Sequence, residues 1–270
     1  MNEQEIVEKS PMMQQINTAI CKKKALFQAS FWRYALRSIY ACLFLTLGTA
    51  IAFAVAIKVE AIVPESGKIF FAFMFSWSLV MIIFLNGELG TSNMLYMTVG
   101  VWQKRMTLAE GVKILGTCLL FNLIGGVFFA LLISQISAFQ GLSTNNFFFE
   151  SIQLKLTKTS GQIFFESIFA NIVVNIAVLI CLRMRDEAAK VITVIFIIYI
   201  FAFLGCEHVI ANFPAFSLAY FTYHGQIPAF TPYNVIHNLI LTLLGNYVGG
   251  GLIMGLGYAW LNNLDTDYLD

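Results

Sequence analysis

Six stretches of this chain, at roughly 37–57, 69–101, 112–137, 162–182, 190–217 and 235–261, are apolar over about the 20 residues that a helix needs to cross hydrocarbon. Two of them are interrupted midway. The second carries Gly87-Glu88-Leu89-Gly90-Thr91-Ser92-Asn93 and the fifth carries Gly205-Cys206-Glu207-His208-Val209-Ile210-Ala211-Asn212. Lipid offers no hydrogen-bonding partner to a backbone, so only helices and closed barrels span a bilayer. A barrel would alternate apolar and polar residues, whereas Val191-Ile192-Thr193-Val194-Ile195-Phe196-Ile197-Ile198 is almost unbroken. The 59% hydrophobic and 11% charged composition and the mean hydropathy of +0.77 exceed what a water-soluble core requires. The expected fold class is therefore an all-α integral membrane protein of six transmembrane helices, the second and fifth broken.

The charges divide by loop. Lys9, Lys22, Lys23, Lys24, Arg33, Lys104, Arg105, Lys113, Arg183, Arg185 and Lys190 fall on the amino-terminal segment and on alternate loops, and only Lys58, Lys68, Lys155 and Lys158 on the others. The excess of positive charge marks the cytoplasmic face, which puts both termini inside. The opening 33 residues are polar and do not read as a cleavable signal peptide. Met12, Met13, Ile16, Ala19 and Ile20 recur at helical spacing before Lys22, which predicts an amphipathic helix over about 11–30 on the cytoplasmic interface. The expected division is 1–33 amino-terminal segment, 34–262 channel domain and 263–270 cytoplasmic tail. The cysteines, Cys21, Cys42, Cys118, Cys181 and Cys206, are scattered, which argues against a disulfide framework. With His208, His224 and His237 as the only histidines and no ligand spacing among them, neither a metal nor another cofactor is expected, nor a nucleic-acid partner.

A long external loop at about 138–161 divides the chain into halves of three spans each. Each half repeats a broken middle span with Glu followed by Asn: Glu88 and Asn93, then Glu207 and Asn212. An odd number of spans per half forces the copies into opposite orientations, the inverted-repeat plan that places sites near the midplane. Breaking a helix there frees backbone groups that only protein or a water-filled cavity satisfies, and the new half-helix amino termini favour anions. His208 adds a group that exchanges protons near neutral pH. Together these suggest a path for a small anion. Thr91 either bonds the imidazole across the pseudo-symmetric centre or caps its own helix. Asn171 and Asn246 either line the path or bond neighbouring helices. Phenylalanines among the spans supply candidate gates that exclude water. The glycines around Gly249 fit close helix packing better than ligand binding.

On Glu207-His208-Val209-Ile210-Ala211-Asn212, Gly87-Glu88-Leu89-Gly90-Thr91-Ser92-Asn93, Asn171 and Gly245-Asn246-Tyr247-Val248-Gly249-Gly250, the chain resembles the formate/nitrite transporter family from about residue 12 to 262. The resemblance implies an aquaporin-like protomer in a homopentamer, with one pore per subunit carrying formate, nitrite, hydrosulfide or a short carboxylate such as lactate. It also implies that His208 is the central histidine with Thr91 as partner, that Asn171 and Asn246 line the pore, and that Lys155 is the vestibule lysine with Lys158 as runner-up. Glu207 and Asn171 would hold that lysine. Phe75, Leu79 and Leu89 would form the inner constriction and Phe201 the outer; the family commonly carries a bulky apolar residue where this chain has Gly90. A neutral-solute channel is the nearest rival, but paired Asn-Pro-Ala motifs are missing and only Pro214 lies near a break. An intramembrane enzyme would need a nucleophile and base, and only Glu207 and His208 stand together.

Overall fold

The computed structural model describes residues 10–262, so the expected 263–270 tail lies outside the described residues. The elements in chain order are α1 (Pro11–Ala29), α2 (Phe31–Glu60), α3 (Gly67–Phe75), α4 (Trp77–Phe84), α5 (Gly90–Trp102), α6 (Leu108–Ser134), a 3-10 turn (Ser137–Phe139), α7 (Phe147–Thr157), α8 (Ser160–Arg183), α9 (Glu187–Leu204), α10 (Val209–Tyr223), α11 (Pro232–Asn246), a π-helical segment (Tyr247–Leu256) and α12 (Gly257–Leu261). Six of these helical runs are long and apolar enough to cross a membrane, the last being Pro232–Leu261 taken as one. The second span is α3 and α4 followed by α5, and the fifth is α9 followed by α10.

Local chemistry sets the ends. Thr107 with Glu110 and Thr159 with Gln162 form capping boxes at the starts of α6 and α8. Asp186 caps α9, and Pro232 opens α11 after Thr231. The first break follows Asn86, which leaves α4 at φ 53°; the second follows Gly205 at φ 75°, where a side chain would be strained.

Two short helices close the ends of the bundle. α1 was expected to rest on the lipid interface, yet its Met13 and Ile16 are fully buried because the helix lays that face on α2, α5 and α8. Ser30, in extended conformation, turns the chain directly into α2, so the first span begins at Phe31 rather than near 37. At the opposite end, α7 forms within what the sequence reads as a loop. Asn146 accepts hydrogen bonds from the Phe148 and Phe149 amides, and Phe148, Ile152 and Leu156, spaced one turn apart, bury the inner face.

Around the rim the outward faces are apolar, with Phe128, Phe165, Phe169 and Phe196 exposed, a surface suited to lipid or neighbouring subunits. The last span meets α8 through glycine. A Cβ on Gly245 would stand 2.5 Å from the Phe164 carbonyl oxygen and 2.6 Å from Ser167 Cβ, whereas one on Gly257 would meet nothing within 4 Å. Replacing Gly245 with Val is therefore expected to cost about 3 kcal/mol, read as a clear fall in the thermal unfolding midpoint in detergent. Gly257→Val is expected to move it by no more than about 0.5 kcal/mol equivalent.

Candidate functional site

The two breaks meet at the centre of the molecule, and asparagines hold them open. Asn246 accepts the Val209 amide at 2.9 Å and donates to the Glu207 carbonyl at 3.1 Å and the Ser167 carbonyl at 2.7 Å. Asn122 does the same for the other break, accepting the Gly90 amide at 2.9 Å and donating to the Glu88 carbonyl at 3.0 Å and the Ser38 carbonyl at 2.7 Å. Each side chain thus supplies the partners that lipid cannot. Both are fully buried, so Asn246 acts here as a clamp on backbone. Asn171 is also committed, donating to the Thr91 carbonyl at 3.1 Å and the Asn246 carbonyl at 2.7 Å and accepting from Asn175 at 3.0 Å.

His208 is the residue just before α10, and Leu89 holds the equivalent place before α5. The Ala211 amide donates to His208 Nδ1 at 3.2 Å. A neutral imidazole that accepts at Nδ1 carries its proton on Nε2, and Nε2 stands 2.8 Å from Thr91 Oγ1, which receives it. The imidazole is therefore oriented from both sides, with its N–H on Thr91.

Beside it lies a cavity of about 20 Å³ lined by Leu45, Phe75, Ser78, Leu79, Ile82, Leu89, Val174, Ile198, Phe201 and His208. That is room for about one water-sized molecule. On the α1 side a far larger cavity, about 730 Å³, is lined among others by Lys22, Lys23, Arg37, Glu88, Ser92 and Lys190. Leu79, Ile82 and Leu89 line both and so form the wall between them. Phe75, grouped with that wall from the sequence, instead faces Phe201 with ring centroids 5.8 Å apart, and Phe201 stands 5.8 Å from the His208 ring in an edge arrangement.

Each broken span also carries a buried carboxylate bound to a cation and an amide. Glu88 Oε2 accepts from Lys23 at 2.6 Å and from Asn93 at 3.0 Å. Glu207 Oε2 accepts from Lys155 at 3.0 Å and Asn212 at 2.7 Å, and Lys155 donates in turn to Asn212 Oδ1 at 3.1 Å. Asn212, not Asn171, therefore holds the lysine together with Glu207. Asn238 supports the group, its Oδ1 accepting from Asn212 at 2.9 Å. Lys158 occupies the other oxygen, Glu207 Oε1, at 2.8 Å. Burial pushes the Lys155 ammonium below its ordinary value against the pull of Glu207. Burial also opposes the Lys158 charge, but the Glu207 and Glu166 carboxylates outweigh it and hold that pKa above the usual lysine value.

The site thus gathers His208, Thr91, Leu79, Leu89, Phe75 and Phe201 at the centre, with Glu88 and Asn93 bound to Lys23 of α1 on one side and Glu207 and Asn212 bound to Lys155 of α7 on the other. Gly90 opens α5 with its amide on Asn122. Sequence reasoning missed Lys23, which reads as one lysine of an interfacial run, and Asn122 and Asn238. A signal for Asn122 was present: Asn122-Leu123-Ile124-Gly125-Gly126 and Asn246-Tyr247-Val248-Gly249-Gly250 share Asn-x-x-Gly-Gly in the last span of each half.

A family model described as formate/nitrite transporter matches residues 10–260. The chain is similar to the nitrite transporter NirC of Escherichia coli (strain K12), 33% identical over 185 residues that cover 68% of each protein. Among solved structures it is similar to an FNT family ion channel, with TM-score 0.85 and 25% identity over 93% of this chain and 98% of that one. It is also similar to a pentameric formate channel with formate bound, with TM-score 0.70 and 25% identity over 85% and 96%.

The clamps make a direct prediction. Asn122→Leu and Asn246→Leu each strand one amide and two carbonyls at membrane depth, and each is expected to cost about 3 kcal/mol or more. Chemical unfolding in detergent checks this, with the two variants expected to fall together because the two breaks are held alike.

Proposed function

The chain belongs to the formate/nitrite transporter family, whose members are transporters and channels rather than enzymes, and we propose that it moves formate or nitrite across a membrane together with a proton. The observation that carries this reading is the oriented imidazole of His208 at an apolar cavity, with the starts of two half-helices beside it and a lysine towards each mouth. A lysine draws the anion in, and the half-helix amino termini lower the cost of its charge. In the apolar slit between Leu79, Leu89, Phe75 and Phe201 water is stripped away, which disfavours the charged form of a weak acid. The neutral acid crosses: His208 takes up a proton from water to become the imidazolium, passes one proton to the anion, and returns to the neutral imidazole that Thr91 orients. One proton then accompanies each anion. Formate is placed ahead of nitrite, and hydrosulfide and lactate are tested beside them.

The same reading puts the protein in the plasma membrane as a multi-pass homopentamer with a pore in each subunit. Both termini face the cytoplasm, because the cations of the α1 end, Lys22, Lys23, Arg37 and Lys190, gather around the larger cavity. Lys155 and Glu207 then lie at the outer mouth.

Uptake by proteoliposomes, followed by internal pH with formate, nitrite, hydrosulfide or lactate outside, tests the reading. Uptake of formate or nitrite is expected to rise as the outside is acidified, since acid increases the neutral form. Passage of water or glycerol with no anion flux would overturn it. Thr91→Val is expected to slow uptake about tenfold, as loss of a residue that orients a key histidine does. His208→Ala is expected to flatten the pH dependence; an unchanged profile would remove His208 from proton handling.

A further inference from the structure

The two halves each bind a buried carboxylate to one lysine and one asparagine, and differ in what else meets it. Glu88 takes its cation, Lys23, on Oε2, and Glu207 takes Lys155 on Oε2; among the described residues Glu207 alone has a second ammonium, Lys158, on Oε1. Lys158 is the residue that ends α7. It also donates to the Gly205 carbonyl at 2.9 Å, the last residue before the second break. On its outer side it pairs with Glu166 of α8 at 2.5 Å.

Exposure falls from Glu166 through Lys158 to Glu207 and rises again at Lys155. The Glu207 side chain is fully buried, Lys155 and Lys158 keep 22% and 19% of their surface, and Glu166 keeps 30%. Glu166, Lys158, Glu207 and Lys155 therefore form a row of alternating charges, with the buried carboxylate of Glu207 between the two partly exposed lysines. With Lys155 alone, Glu207 would cancel the cation that meets the anion. Lys158 takes up one carboxylate oxygen and leaves more of the Lys155 charge uncompensated, and Glu166 draws on Lys158 from outside. Two ammonium groups face two carboxylates, so removing Lys158 leaves the group one unit negative and removing the Glu166 charge leaves it one unit positive.

We propose that Lys158 and Glu166 are an opposed pair of affinity-setting residues that govern how strongly the α7 side concentrates the anion, Lys158 raising and Glu166 lowering the affinity. The inference rests on the anion-transport reading above and assigns these two residues a role in it. A focused charge at a narrow mouth changes the local anion concentration, and one unit of charge at partly buried positions is worth about threefold or more. Such an effect weakens as salt screens it.

The experiment measures the half-saturating formate and nitrite concentrations in oriented membrane vesicles, with the anion presented on the α7 side or on the α1 side, for the wild type, Lys158→Met, Lys158→Arg, Glu166→Gln and Glu166→Lys. On the α7 side Lys158→Met is expected to raise the value about threefold or more and Glu166→Gln to lower it by a similar factor. Glu166→Lys is expected to lower it further and Lys158→Arg to restore it, with all shifts shrinking in high inert salt. Values on the α1 side are expected to stay within twofold. A merely structural role for Lys158 at the Gly205 carbonyl predicts no such reversal of sign. If Lys158→Met does not assemble, Glu166→Gln and Glu166→Lys carry the same test. Shifts in one direction for both residues, or none, in a wild type that transports anions would overturn this inference alone. No anion flux in the wild type would overturn it together with the function on which it rests.

Discussion

An interrupted helix at membrane depth has to find partners for the backbone groups it frees, and every functional feature of this protein follows from how that is done. Asn122 and Asn246 each accept one amide and donate to two carbonyls across a break. An amide side chain is the natural choice, because it offers an acceptor and two donors without adding a charge. With the breaks held from the side, the residues inside them remain free to face the centre. Leu89 and His208 occupy equivalent positions there, one supplying an apolar wall and the other an oriented N–H.

The inverted repeat therefore provides a symmetric frame carrying asymmetric chemistry. Both carboxylates are tied to an amide five residues on, Glu88 to Asn93 and Glu207 to Asn212. A lysine reaches each from a short helix that closes its end of the bundle, Lys23 from α1 and Lys155 from α7. The centre has one histidine where a fully symmetric molecule would have two. Burying a carboxylate without its cation and amide would cost several kcal/mol, so the short helices are bound into the core as much as the spans are. That explains why the apolar face of α1 lies on α2, α5 and α8.

How much of this could be read from the sequence depends on what made each residue costly in a bilayer. The six spans and both breaks stand out because long apolar runs admit few alternatives and glutamate at membrane depth needs a reason. α7 was hidden because eleven residues broken by Glu150, Gln153 and Lys155 look like a loop beside spans of 18 to 30 residues. Lys23 was hidden by its neighbours Lys22 and Lys24, since a run of lysines beside an apolar stripe fits an interfacial helix equally well. Asn171 was expected to hold Lys155, yet Asn212 does so, because the carbonyls of Thr91 and Asn246 take the Asn171 amide nitrogen and the Asn175 side chain takes its oxygen. Sequence spacing identifies a buried asparagine without saying which carbonyl it serves.

The central claim is that the anion crosses the slit beside His208 as its neutral acid. The most direct test is the net charge moved per formate, measured as uptake into proteoliposomes whose voltage is clamped by potassium and valinomycin. Electroneutral crossing predicts that uptake is unchanged across the clamped voltages and that about one proton enters with each formate. Uptake that follows voltage, with formate current and no accompanying protons, would contradict the account.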